Sequence, residues 1–307
     1  MHNYEEKKPL LPQGWLRVIL FIPFFLMFTL IIFFLFSLLI STGQPVEFTA
    51  DYFQESFKAL GSPNYLWLLS IGELVSVLGA VIVFRKFVDR RNLISLGLLL
   101  DGQGNSILAG LFLAPALIGL VNLGLYLSGH LEWDGVDWNI QGLIMEAGSL
   151  ILIALAEEIL IRGYILNNLL NSFNRWVALV ISALVFALLH FNNPDQGTLP
   201  FLSLLIAGIL LGLGYTYTKN LWFAIALHFS WNFFEGPIAG FRISGQEIPS
   251  LLLIHTSGDA SITGGGFGLE GSILTMALLF IAVCTLMLFY EKRYAAKATT
   301  LNDSSPS

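Results

Sequence analysis

The chain has 307 residues, 55% of them hydrophobic and 12% charged, with a mean hydropathy of +0.74. Soluble domains carry about a quarter charged residues, so this composition excludes an ordinary soluble globular protein and places the chain in a bilayer. The net charge of −6 falls mostly in loops, and no basic cluster interleaved with aromatics suggests a nucleic-acid partner.

Residues 1–13 read as a polar leader, and eight apolar runs follow: 18–40, 65–84, 106–127, 141–168, 176–191, 201–217, 221–234 and 272–290. A helix rising 1.5 Å per residue crosses the hydrocarbon in about 20 residues, so the fifth and seventh runs are short. The first run is too long for a signal-peptide core, and Ser-Thr-Gly-Gln after it is no clear cleavage site. Longer loops are expected at 41–64 and 235–271. The second holds Thr263-Gly-Gly-Gly-Phe-Gly268, with no strand before it and no Lys after it, so a flexible loop is expected rather than a phosphate cradle. Gly208 and Gly212 give the sixth run a small face suited to close helix packing. Cys284 has no partner for an internal disulfide and reads as a packing residue. Residues 295–307 read as a disordered tail. The expected fold is all-α: a polytopic membrane helix bundle of about eight transmembrane helices, filling 14–294.

Placing the N-terminus inside puts 13 of the 15 Lys and Arg residues on the inner side and leaves Lys58 and Arg242 outside. That bias predicts cytoplasmic termini in a multi-pass protein of the plasma membrane.

The chemistry begins in the fourth run, at Ala-Glu157-Glu158-Ile-Leu-Ile-Arg162. Charged residues inside hydrocarbon cost about 2.5–3.5 kcal/mol each on insertion scales, so they usually face a polar cavity. Glu158 and Arg162 are four apart and can neutralise each other on one face. Glu157 is rotated by about 100° from Glu158, which leaves it without that partner and available as a general base. Phe186-x-x-x-His190 ends the fifth run, and His228-x-x-x-Asn232 puts two polar groups on one face of the seventh. From the inner helix ends, Glu157, His228 and His190 lie about 15, 12 and 21 Å deep, compatible with one shared site. The chain has neither a His-Glu-x-x-His zinc motif nor a Gly-x-Ser-x-Gly elbow. Water activated by carboxylate and imidazole remains, with or without a metal.

In their order on separate spans, Glu-Glu-x-x-x-Arg, Phe-x-x-x-His and His-x-x-x-Asn resemble the CAAX protease and bacteriocin-processing (CPBP/Abi) family of intramembrane proteases, which includes the type II CAAX prenyl endopeptidases. The resemblance covers about 140–240. It implies that Glu157 and His190 activate a water while His228 and Asn232 bind the oxyanion. It also implies that Glu158, Arg162 and Phe186 support the site. The expected substrate is a membrane protein or lipidated peptide, with no cofactor. Two other readings stay open: a zinc-dependent protease with His190, His228 and Glu157 as ligands, or a non-catalytic scaffold, immunity protein or transporter. Glu73, and Glu146 about three turns before Glu157, lend weight to the last.

Overall fold

The computed structural model describes residues 8–40 and 66–303. The chain is mostly helical, and a helix covers most of each of the eight apolar runs. These are α1 (Gly14–Ile40), α2 (Leu66–Val83), α3 (Gly104–Leu127), α4 (Ile140–Glu158), α5 (Arg175–Leu189), α6 (Thr198–Thr218), α7 (Trp222–Phe233) and α8 (Ile273–Asp303). Three of them continue as wider π-helical turns, over Phe84–Asp89, Ile159–Leu166 and Phe234–Ile238. The predicted loop at 41–64 lies outside the described residues. The last helix runs past residue 295, where the sequence suggested a tail.

Five segments are long and apolar enough to cross a membrane: Gly14–Leu38, Leu66–Asp89, Gly104–Leu127, Thr198–Thr218 and Ile273–Tyr294. The outer faces of these helices expose large apolar side chains, Phe112 at 70% and Leu30 at 62% among them, as lipid contact demands. Helix α5, at 15 residues, spans only about 22 Å, and α7 less. Lining α7 are Ala224, Leu227, His228, Trp231 and Asn232, all buried. It packs against α3, α4 and α6, while α4 packs against α2 and α7. So the helices that carry the polar motifs form the inside of the bundle.

Local sequence signals set the helix ends. Asn139 and Asn174 cap α4 and α5, their side chains accepting from Gly142 N and from Trp176 N and Val177 N. Lys219 closes α6 in the left-handed conformation at φ 54°. The glycine face of α6 packs as its pattern predicts. A Cβ at Gly208 would sit 2.9 Å from Ala183 Cα of α5, and one at Gly212 would sit 2.7 Å from Leu179 Cδ1.

Two expectations are corrected. The fold is not purely helical: Leu131–Val136 (β1) pairs antiparallel with Leu252–Thr256 (β2), with a bulge between Trp133 and Gly135. The strands are short, and the brief alternation Leu131-Glu-Trp133-Asp is too little to mark a strand without its long-range partner. The glycine run at 263–268 is not a flexible loop. Thr263, Phe267, Leu269 and Glu270 are buried, and Cβ atoms at Gly264 and Gly268 would collide with the carbonyls of Gly268 and Arg242. These glycines permit close backbone packing. Composition reads the same for that as for mobility.

Candidate active site

Helices α4, α5 and α7 bring Glu157, Glu158, Arg162, His190, His228 and Asn232 together. Glu158 and Arg162 are fully buried and paired, Arg162 Nη1 donating to Glu158 Oε1 at 2.6 Å. Arg162 Nη2 donates to the Gly208 carbonyl at 3.1 Å, so the missing side chain on α6 lets the guanidinium reach backbone. Its guanidinium carbon stands 4.6 Å over the Phe186 ring, a desolvated cation–π contact worth about 2 kcal/mol. The π-helical turn after Glu158 contains Arg162, and such widened turns recur at functional sites.

Each histidine is held from behind through Nδ1. At the C-terminus of α5, His190 N turns back to Ala187 O, which frees the Phe186 carbonyl. His190 Nδ1 takes that carbonyl at 2.9 Å, satisfying an orphan acceptor of the helix end. His228 Nδ1 lies 2.9 Å from Glu158 Oε1. A carbonyl and a carboxylate can only accept, so both Nδ1 atoms carry the proton and both Nε2 atoms face inward. Phe186 fixes the two rings further, its centroid 4.8 Å from that of His190 and 5.9 Å from that of His228.

Both inward nitrogens converge on the carboxylate that has no other partner. Glu157 Oε2 is 3.9 Å from His190 Nε2 and 4.0 Å from His228 Nε2, and it makes no hydrogen bond within the chain. A water bonded at about 2.8 Å to Glu157 and to either ring bridges such gaps comfortably. Two ligands of a tetrahedral zinc stand about 3.3 Å apart, so the present spacing is wide for a His-His-Glu metal site. Among the described residues no group of three or more donors is arranged to hold a metal ion.

These groups line one cavity of about 170 Å³. Its walls are apolar: Leu66, Leu150, Ile153, Leu204 and Leu227 contribute. Asn232 lines it one helical turn beyond His228. Phe186 lines it beside His190, as the Phe-x-x-x-His spacing suggested.

Three features escaped the sequence reading. The first is the hydrogen bond from His228 to Glu158, which gives Glu158 two tasks. The second is the Phe186 carbonyl that orients His190. The third is a roof contributed by the segment after α7, where Ile243, Ser244, Gln246, Ile248 and Glu270 also line the cavity. Ser244-Gly245 is a recognisable turn signal, but nothing in the sequence says which helices it covers. Glu146 is buried with Oε2 unpartnered, yet does not line the cavity.

The arrangement has a counterpart among known families. Residues 139–234 match the family model described as type II CAAX prenyl endopeptidase, Rce1-like. This segment is Rce1-like. It starts at the cap of α4, ends just past Asn232, and contains all three motifs. No curated protein and no solved structure matches the chain. The match spans about a third of the chain, and with the five helices long and apolar enough to cross a membrane it supports an integral membrane protein that is similar to this peptidase family over that segment.

Proposed function

We propose that the protein is an intramembrane endopeptidase that hydrolyses a peptide bond with water held between Glu157 and His190. The observation that carries this reading is the convergence of both histidine Nε2 atoms on the unpartnered Glu157 Oε2, inside a cavity walled by apolar helices. Glu157 takes a proton from the water while His190 Nε2, a lone-pair acceptor in its fixed tautomer, orients it. The hydroxide attacks the scissile carbonyl, and the proton passes to the leaving amine. General-base assistance of this kind is worth about 10²–10⁴-fold.

Stabilisation of the oxyanion falls to Asn232 and His228. Since Nδ1 of His228 is committed to Glu158, its Nε2 donates only when the ring is an imidazolium. With Arg162 also positive, two cations then face two carboxylates, Glu157 and Glu158, and the buried cluster is neutral. One such oxyanion donor is worth about 10²–10³-fold.

No metal enters the scheme, in which a water bridges the 3.9 and 4.0 Å separations. We place the protein in the plasma membrane with eight spans and cytoplasmic termini. Its substrate is a membrane protein or a lipidated peptide. The test is proteomic: membrane fractions with the wild-type chain and with Glu157→Gln should differ in peptides cut next to membrane segments. Identical cleavage in both rejects the reading.

A further inference from the structure

The roof of the cavity carries a second acidic pair that the hydrolytic scheme does not use. Ser244 and Gly245 form a tight turn in the left-handed region, at φ 46° and 85°, closed by Ile243 N to Gln246 O and Gln246 N to Ile243 O. The turn is held from two sides, Asn193 Nδ2 donating to Ser244 O at 3.0 Å and Gly245 N to Phe267 O at 2.8 Å. From this fixed position Ser244 Oγ donates to Glu270 Oε2 at 2.5 Å. The Glu270 side chain lines the cavity, near enough to His190 and His228 for their charges to act on it.

Behind Glu270 stands Glu235, at the end of α7, fully buried and with neither oxygen hydrogen-bonded. It points at the 268–270 segment: a Cβ on Gly268 would lie 3.0 Å from Glu235 Oε1, and the two carboxylates act on each other electrostatically. The Trp231 indole and the amides of Leu269 and Glu270 are the donors that face Glu235. Of these two buried carboxyls only Glu270 has the Ser244 hydroxyl, and neither is ion-paired to a Lys or Arg among the described residues. Among the described residues lining the cavity there is no Lys or Arg. Arg162 is committed to Glu158 and Gly208, and Arg242 to Asp195 and Glu247 on the outside. Burial raises the Glu270 carboxyl above its usual range, and a cation placed beside it favours the charged form.

We propose that Glu270, backed by Glu235, is a subsite for a positively charged side chain of the substrate, a lysine or arginine close to the scissile bond. Such a group supplies the missing countercharge. The inference rests on the hydrolytic reading above and names its substrate class.

The test uses the purified full-length protein in lipid vesicles and pairs of fluorescent peptides that differ in one residue, lysine against Nε-acetyl-lysine, scanned through every position. Binding is read by anisotropy on the Glu157→Gln protein, which needs no turnover, and hydrolysis on the wild type. At one position the lysine peptide should bind about tenfold more tightly than its acetylated twin, and adding Glu270→Gln should bring the ratio close to one. Equal binding of both peptides at every position overturns the inference, as does a lysine preference that survives Glu270→Gln. Selective binding with no cleavage of either peptide by the wild type rejects the hydrolytic reading and keeps the cation subsite. Equal cleavage and equal binding of both does the reverse. The wild-type comparison requires no substitution in the roof, so misfolding of the Glu270 variant cannot mask the result.

Discussion

Glu158 Oε1 receives both Arg162 Nη1, at 2.6 Å, and His228 Nδ1, at 2.9 Å. One carboxylate oxygen thus ties the buried cation of α4 to the inward-facing imidazole of α7. The adjacent Glu157 is left free because it points elsewhere on the same helix. A single step along a helix separates the group that supports the site from the group proposed to do the chemistry.

This division gives the two glutamates different mutant signatures. Glu157→Gln keeps shape and touches no hydrogen bond within the chain, so the melting temperature in detergent should stay near wild type while hydrolysis falls about 10²-fold or more. Glu158→Gln leaves Arg162 as an uncompensated buried charge, which costs about 3–5 kcal/mol. It should therefore lower the melting temperature and membrane yield, and activity with them as His228 loses its anchor. Matching thermal profiles for the two variants would contradict this assignment.

Gly208 lets α6 pack closely against Ala183 of α5 and also supplies the carbonyl that Arg162 uses. Gly208→Ala puts a methyl 2.9 Å from Ala183 Cα, where backbone has to move. Overpacking of this kind costs about 1–3 kcal/mol. Thermal unfolding of the purified variant should show the loss, whereas Gly119→Ala on α3, where a Cβ meets nothing within 4 Å, should be neutral or slightly stabilising. Equal effects at both positions would remove the packing explanation.

Water rather than metal is expected between Glu157 and the histidines. Purified active protein should contain no stoichiometric zinc by elemental analysis and should keep its activity in EDTA. Activity lost on chelation and restored by added Zn²⁺ would establish a His190, His228 and Glu157 metal site in place of the water.

The 13-to-2 division of basic residues predicts cytoplasmic termini. In a Cys284→Ser background, single cysteines placed in the 192–197 connection and in the 245–259 segment should react with an impermeant maleimide in intact cells. Cysteines near Lys219 should react only after permeabilisation. The opposite pattern inverts the protein in the membrane.

The sequence by itself determined the membrane class, the helical runs and the three motifs, because each is a local property. Apolar run length follows from bilayer thickness, and the spacings of Glu158 to Arg162 and His228 to Asn232 follow from the helical repeat. It also showed that Glu157 and Glu158 must point in different directions. The number of spans was less legible, since α5 and α7 are only 15 and 12 residues long and α4 carries Glu146, Glu157 and Glu158.

Only the tertiary structure decided which nitrogen of each histidine faces Glu157, because that depends on the Phe186 carbonyl and on a carboxylate 70 residues from His228. It also decided the pairing of β1 with β2 and turned the glycine run of 263–268 from an expected flexible loop into a packed roof. Glu270 and Ser244 reach the cavity through backbone approaches that glycine permits but does not encode. Contacts between segments far apart in the chain leave no period or spacing in the sequence, and these contacts set the polar end of the cavity.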